Sequence, residues 1–113
     1  MIKKPELLAP AGSFEKAKVA FMYGADAVYC GTGALSLRSR SPITDEELEK
    51  IVNYAHSIGK RVHVTLNIYA SDDLYDAMEK QIRMLDQIKV DAIIAADGGV
   101  IQMIHEIAPN IDI

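Results

Sequence analysis

The segment TDEELEKIVNYAHSIGKRVHVTLNI, residues 44–68, predicts a helix followed directly by a strand. Thr44 and Glu47 fit a capping box, in which the threonine hydroxyl and the glutamate carboxylate both accept from amide groups of the first helical turn. Gly59 stands where a left-handed cap ends a helix, and residues 61–68, which are rich in β-branched side chains, predict the strand. The apolar face of the predicted helix consists of Leu48, Ile51, Val52, Ala55 and Ile58.

Strands and helices alternate along the rest of the chain. Apolar runs predict further strands at residues 6–9, 27–30, 92–96 and 111–113. Helical spacing predicts one helix from an N-cap at Ser13 to Gly24 and another over residues 100–108. A third begins at Asp72 or Asp73, with the apolar face Leu74, Met78, Ile82 and Leu85.

The order of these elements predicts an α/β fold class with a parallel sheet, because each connection is long enough for a crossover. Asp-Ala precedes the strand core at residues 26–27 and again at residues 91–92, which suggests repeated βα units. Either a barrel or an open doubly wound sheet supplies such units. The run at residues 92–96 is apolar throughout, as expected of a strand that is covered on both faces.

Composition limits what this chain can do alone. Its 113 residues suit a single domain, and twelve basic against sixteen acidic residues give a net charge of −4, which argues against a nucleic-acid footprint in this segment. The single cysteine, Cys30, closes no intrachain disulfide and builds no multi-cysteine metal site. The apolar runs are far shorter than the roughly 20 residues that span a bilayer, and the N-terminus does not resemble a secretory signal. We therefore expect a cytoplasmic protein with no membrane partner.

Ligand sites in parallel α/β folds form at the carboxyl ends of the strands, which selects the loops before the helices. Arg38 and Arg40 follow the second strand, and arginine holds phosphate or carboxylate with a bidentate fork. Their spacing fits an anion site and two solvated arginines equally well. Asn67 follows the third strand. Asp97 follows the fourth, where it serves as a base or acceptor or, more commonly, as a helix cap.

The same loops supply backbone candidates, which are Gly12, Ser13, Gly31, Gly33 and Gly98. The pair Gly31 and Gly33 lacks the third glycine of the dinucleotide fingerprint, so a tight turn is the favoured interpretation. The histidines form no ligand constellation and are interpreted as structural or surface groups, namely His56, His63 and His105. Cys30 is interpreted as a small core residue. The catalytic groups are therefore unknown from the residues alone, and no metal ligands are predicted.

Six short motifs occur in a fixed order along the chain. They are PELLAPAG at residues 5–12, YGADAVY at 23–29, SLRSR at 36–40, YAH at 54–56, GK at 59–60 and VTLN at 64–67. Together they resemble the start of the collagenase-like peptidase family, peptidase family U32, over residues 5–113. The resemblance implies that the chain is the first half of a TIM-type (β/α)₈ barrel, with four βα units and the start of a fifth strand. The remainder of the barrel and a C-terminal part would follow, since a full barrel needs about 250 residues.

Members of that family include reported collagenases, hydroxylases of tRNA or ribosomal RNA, and proteins of oxygen-independent ubiquinone hydroxylation. Residues 36–40 are most similar to the tRNA-hydroxylating branch, so the resemblance implies a parent protein for wobble-uridine hydroxylation and an inactive fragment. A peptidase and a non-catalytic structural or interaction fragment are the alternatives. The resemblance also implies Arg38, Arg40 and Asn67 as contacts to substrate or RNA phosphate.

The chain departs from the family pattern at residues 41–43, which are Ser-Pro-Ile, and at residues 69–71, which lack a frequent histidine. The second departure argues against a catalytic histidine in the third loop. Several members hold an iron–sulfur cluster through four cysteines that match nothing here, so we expect no cofactor in this segment. We expect tRNA binding by the full-length protein, weak or no tRNA binding by this chain, and self-association as a homodimer through the exposed half-barrel edge.

Overall fold

Strands and helices alternate in the computed structural model, which describes residues 6–31, 43–66, 75–95 and 97–113. The strands are β1 (Leu8–Pro10), β2 (Ala27–Gly31), β3 (Arg61–Leu66) and β4 (Ala92–Ala95). The helices are α1 (Phe14–Met22), α2 (Asp45–Ser57), α3 (Tyr75–Gln87) and α4 (Gly98–Ile107). The predicted α/β class is confirmed.

The strands form one parallel sheet in the order β1-β2-β3-β4. Leu8 lies opposite Ala27 in the first pair of strands, and His63 lies opposite Ala92 in the last. Right-handed crossovers between strands that follow one another in this order place the helices on the same face of the sheet. A doubly wound sheet reverses its order at a switch point, and the described strands contain no such reversal.

The hydrophobic core lies between the sheet and the helices. Val28, Val62, Val64 and Ile93 project from the sheet into one continuous apolar cluster, and all are fully buried. The helices contribute apolar residues at the predicted spacing, namely Leu48, Ile51, Val52, Ala55, Met78, Ile82 and Leu85. Each large apolar side chain buried here stabilises the fold by roughly 1.5–3 kcal/mol. Ile58, predicted on the same face of α2, is instead exposed because α2 ends at Ser57.

Local sequence sets the helix ends. The Ser13 hydroxyl accepts from the Lys16 amide and the Thr44 hydroxyl from the Glu47 amide, both at 3.1 Å, which confirms both predicted N-caps. Gly59 has φ +71°, which confirms the left-handed cap after α2. The cap of α3 predicted at Asp72 or Asp73, and Leu74 of its apolar face, lie outside the described residues.

The predicted strand at residues 92–96 is observed as β4 over its described residues, and the one predicted at 111–113 is observed as a single bridge. Ile94 on β4 is 42% exposed among the elements that the structure describes, so the expectation that this strand is covered on both faces stays a prediction. Beyond α4 the chain returns to the sheet, where the Ile93 amide donates to the Asp112 carbonyl at 2.8 Å. Asp112 forms a parallel bridge with Ala92, so the sheet begins to extend past β4. No helix in the described part of the chain is long and apolar enough to cross a bilayer.

Candidate functional site

The carboxyl ends of the strands carry the described candidate residues, as the parallel arrangement predicts. Gly12 and Gly31 lie at the ends of adjacent strands, where the Ala11 amide donates to the Tyr29 carbonyl at 3.0 Å and prolongs the β1–β2 pairing. Asp97 and Gly98 follow β4 at the same edge of the sheet. Arg38, Arg40, Gly33 and Asn67 lie outside the described residues, so their roles stay predictions.

Asp97, a predicted substrate contact, and Ser13, a predicted backbone candidate, both use their side chains as helix caps. The Asp97 carboxylate accepts from the Val100 amide at 3.1 Å, as the Ser13 hydroxyl accepts from Lys16. Each satisfies an amide of the first turn that has no partner within the helix. At Gly12 an added Cβ would meet only the Lys16 side chain, at 3.8 Å, and at Gly98 it would meet nothing within 4 Å. Neither glycine is therefore required by close backbone packing in this structure.

A cleft of about 510 Å³ lies between the first turns of α1 and α2. Its lining residues are Ser13, Phe14, Glu15, Thr44, Glu46, Glu47 and Lys50. The Glu47 carboxylate crosses between the helices and accepts from the Phe14 amide at 3.0 Å. The predicted reciprocal half of the capping box is therefore wrong, because this carboxylate satisfies the first turn of α1 and not that of α2.

The cleft combines carboxylates with the positive ends of two helices. Acidic side chains in a first turn complement the helix dipole, and both helices carry them. The ammonium group of Lys50 adds one cation to the lining. Sequence reasoning predicted the two caps but missed the cleft, since nothing local indicates that Ser13 and Thr44 start neighbouring helices.

At the amino ends of the strands, two aspartates occupy equivalent positions. The Leu7 amide donates to Asp26 at 2.8 Å, and the Val62 amide donates to Asp91 at 2.7 Å. Each aspartate thus satisfies the first residues of the neighbouring strand. These are the two aspartates of the repeated Asp-Ala pattern, so the repeat has a structural role.

The histidines on α2 and β3 also face carboxylates at the amino ends of the strands. His56 Nε2 lies 2.9 Å from Asp91 Oδ2, and His63 Nε2 lies 3.3 Å from Glu6 Oε1. His105 is exposed in the last turn of α4. These positions agree with the prediction of structural or surface histidines. In the described ranges, no three or more histidine, cysteine, aspartate or glutamate side chains form a group that could hold a metal ion.

Cys30 is buried in the core, as predicted. Burial, with a smaller contribution from the negative charge of Glu47, raises the pKa of its thiol from 9.0 to about 12. A thiol is the form that neither ligates metal nor attacks a substrate at neutral pH. Iron–sulfur clusters are held by several thiolates, so Cys30, the single cysteine of the sequence, does not fit such a group.

The fold defines a protein of parallel βα repeats, and its polar loops lie at the carboxyl ends of the strands. Residues 12–113 match the family model described as Peptidase family U32. The chain belongs to that family.

The names of several curated relatives refer to tRNA. The tRNA hydroxylation protein P1 of Bacillus subtilis is 42% identical over 112 residues, which cover 98% of this chain and 26% of that protein. The tRNA hydroxylation protein P of Haemophilus influenzae is 42% identical over 111 residues, or 97% of this chain and 24% of that protein. The chain therefore spans about a quarter of the length of these relatives.

A solved structure, that of the U32 peptidase Mk0906, resembles this chain with a TM-score of 0.67. The similarity covers 90% of this chain and 46% of that one, at 20% sequence identity. At this identity the likeness concerns the fold, and it agrees with the parallel α/β arrangement.

Proposed function

We propose that the sheet is the first half of a TIM-type (β/α)₈ barrel. The sequential order β1-β2-β3-β4 supports this, since barrel strands follow one another around the axis without reversal. The parallel bridge between Ala92 and Asp112 supports it as well, because a fifth strand would begin next to β4. The length of the curated relatives leaves ample chain for the other half.

We further propose that the chain is the N-terminal part of a cytoplasmic protein that takes part in tRNA wobble-uridine hydroxylation. The observation that carries this proposal is the 42% identity with tRNA hydroxylation protein P1 of Bacillus subtilis across 98% of the chain. Arg38, Arg40 and Asn67 are the residues to which we assign contacts with RNA phosphate or substrate, because they follow strands whose carboxyl ends form one edge of the sheet.

The role of this segment is to bind and orient rather than to supply redox chemistry. Guanidinium groups stay charged at all physiological pH values and suit bidentate contacts to phosphate. Cys30 does not fit an iron–sulfur cluster, so a cluster of the kind that the family resemblance implies would have to be held by residues beyond this segment. The 113 residues alone are accordingly proposed to be inactive.

The test is a segment exchange. The matched segment of the Bacillus subtilis protein is replaced by this chain, and the chimera is expressed in a strain that lacks its own tRNA hydroxylation. Mass spectrometry of digested tRNA then measures the hydroxylated wobble uridine. We expect the chimera to restore the modification. The double variant Arg38→Ala/Arg40→Ala should lower the amount of hydroxylated uridine at least about tenfold, which corresponds to a loss of about 1.4 kcal/mol in binding free energy.

Arg83→Ala is the matched control, since Arg83 is an exposed helix arginine that pairs with Glu79. It should leave the modification unchanged. A chimera that accumulates normally but hydroxylates no tRNA would overturn the proposed function. Cleavage of gelatin by the purified chimera, lost in a variant of this segment, would favour the peptidase that the family name suggests.

A further inference from the structure

The described helices cover one face of the sheet, and in the barrel proposed above the other face is the inside. Side chains alternate between the two faces along each strand. Val28, Val64 and Ile93 lie beneath the helices and are fully buried. The residues that alternate with them therefore line the interior, and those nearest the carboxyl ends of the strands form its mouth. Ligands of (β/α)₈ barrels bind at this mouth, above the packed layers of the interior.

Three residues of neighbouring strands form one row at this mouth. Gly31 on β2 is the register partner of Thr65 on β3, and Thr65 is the partner of Ile94 on β4. Gly31 ends its strand, and Thr65 and Ile94 each lie one residue before the end of theirs. These three residues, here called the floor row, are therefore the last inward-facing residues of their strands. Interior layers are mostly filled by bulky branched side chains, so the glycine of β2 leaves space beside the Thr65 hydroxyl.

The Thr65 hydroxyl has acceptor capacity that the described structure does not use. Its proton is donated to the Cys30 carbonyl oxygen at 3.4 Å. A hydroxyl oxygen also carries two acceptor lone pairs, and none of the described residues donates to Thr65. The bond to Cys30 is longer than the usual distance of about 2.7–2.8 Å and is therefore weak, but it directs the proton toward the strand pair. The lone pairs are left for a group that enters the mouth.

The charged groups of the interior lie nearer the amino ends and are paired with one another. His63 Nε2 lies 3.3 Å from one carboxylate oxygen of Glu6, and Arg61 lies 3.6 Å from the other. These groups precede the floor row along the strands and already have partners. Thr65 is the polar side chain of the floor row, so it is the described interior group that is placed to contact a ligand at the mouth.

We propose that the floor row forms the bottom of the substrate pocket and that Thr65 accepts a hydrogen bond from the ring N–H of the wobble uracil. The inference rests on the proposed function. An enzyme that modifies a base takes the base out of its stack and reads its hydrogen-bonding edge. That edge of uracil has an N–H between two carbonyl groups, whereas cytosine has a lone pair at the same ring position. The acceptor at Thr65 therefore selects uracil, and Ile94 supplies apolar surface beside the ring.

Substitutions of Thr65 in the chimera described above test this contact. Thr65→Val keeps the shape of the side chain and removes the hydroxyl, so the amount of hydroxylated wobble uridine should fall at least about fivefold. Thr65→Ser keeps the hydroxyl and should retain most of the modification. Ser57→Ala is the matched control, because the Ser57 hydroxyl also donates to a backbone carbonyl, that of Tyr54 at 2.6 Å, but lies at the end of α2 away from the mouth.

Binding of two anticodon stem–loops separates a base contact from a structural role. The stem–loops differ only in having uridine or cytidine at the wobble position, and filter binding to the purified chimera measures both dissociation constants. We expect the parent chimera to prefer uridine at least about fivefold and Thr65→Val to bind both equally. Thermal unfolding of Thr65→Val should match that of the parent, since valine favours a strand.

Gly31→Val is a second probe, because Gly31 has the extended backbone of β2 and a side chain there fills the space beside Thr65. It should lower hydroxylation at least as much as Thr65→Val. Normal hydroxylation by Thr65→Val, or a parent chimera without preference for uridine, would overturn this inference and leave the proposed function intact. An equal loss in Thr65→Ser or Ser57→Ala would overturn it as well. A parent chimera that prefers the uridine stem–loop but hydroxylates no tRNA would instead overturn the proposed function.

Discussion

The carboxylate of Glu47 on α2 accepts a hydrogen bond from the backbone amide of Phe14 on α1, at a distance of 3.0 Å. The two residues are 33 positions apart, and the bond joins the first turns of neighbouring helices at the carboxyl edge of the sheet. The rings of Phe14 and Tyr54 meet edge to face at the same junction, with centroids 5.7 Å apart. Polar and aromatic contacts thus fix how α1 lies on α2.

Replacing Glu47 should destabilise the fold. Glu47→Ala removes a charged acceptor and leaves the Phe14 amide without its partner in a partly buried position, so we expect a loss of about 1.5–3 kcal/mol. Urea unfolding followed by circular dichroism measures the change. Glu49→Ala is the control, since Glu49 lies exposed on the same helix and should change stability by less than about 0.5 kcal/mol. Equal losses in both variants would show that the interhelical bond contributes nothing specific.

The helix ends were predictable because their signals are local. Ser13, Thr44 and Asp97 each cap the helix that begins at the next residue, and the geometry involves a single turn. The partner of Glu47 was not predictable, because a capping box and a contact between two helices require the same residue type at the same place. The apolar run of β4 predicts a strand but does not reveal which element covers each of its faces, and Ile94 is exposed among the described elements.

Lys89 adopts a left-handed backbone conformation, with φ 64°. The repeated sequence pattern explains why, because Gly24 stands at the equivalent position before the first aspartate of the repeat and has φ +99°. This conformation is less favourable by roughly 1–2 kcal/mol for a residue with a Cβ, whereas glycine adopts it freely.

Lys89→Gly should therefore raise the free energy of unfolding by about 0.5–1 kcal/mol, after the greater chain entropy of glycine in the unfolded state is subtracted. Thermal and urea unfolding measure the change. Lys80→Gly, inside helix α3, should have the opposite sign and cost about 1 kcal/mol. A destabilised Lys89→Gly would mean that the lysine side chain makes a compensating contribution.

The buried thiol of Cys30 should make stability depend on pH in the alkaline range. Its pKa is raised from 9.0 to about 12 in the folded chain, so the folded state holds a proton that the unfolded state releases. Below pH 9 the two states are equally protonated at this group, and stability does not change. Between pH 9 and about 12 stability falls as pH rises, by up to about 1.4 kcal/mol per pH unit.

Cys30→Ala should lower stability at neutral pH through lost packing. It should also remove the contribution of Cys30 to the fall in stability between pH 9 and about 12. Urea unfolding at a series of alkaline pH values, with the wild type and variant compared at each pH, isolates the contribution of Cys30 from those of lysine and tyrosine. Parallel curves for the two proteins would contradict the assignment. Rapid labelling of the folded wild type by a thiol reagent at neutral pH would contradict it as well.

The isolated chain should bind tRNA weakly despite the tRNA-related names of its relatives. Its net charge is −4, and the first turns of α1 and α2 carry acidic side chains at the carboxyl ends of the strands, where the candidate loops lie. Arg38 and Arg40 together neutralise two phosphates at most, whereas proteins with tight non-specific binding make many such contacts. We expect a dissociation constant above about 100 µM at physiological salt and a salt slope no steeper than about −2. Filter binding between low and physiological salt measures both quantities. Tight binding with a steep salt dependence would contradict the prediction, because it would mean that this segment contacts many RNA phosphates.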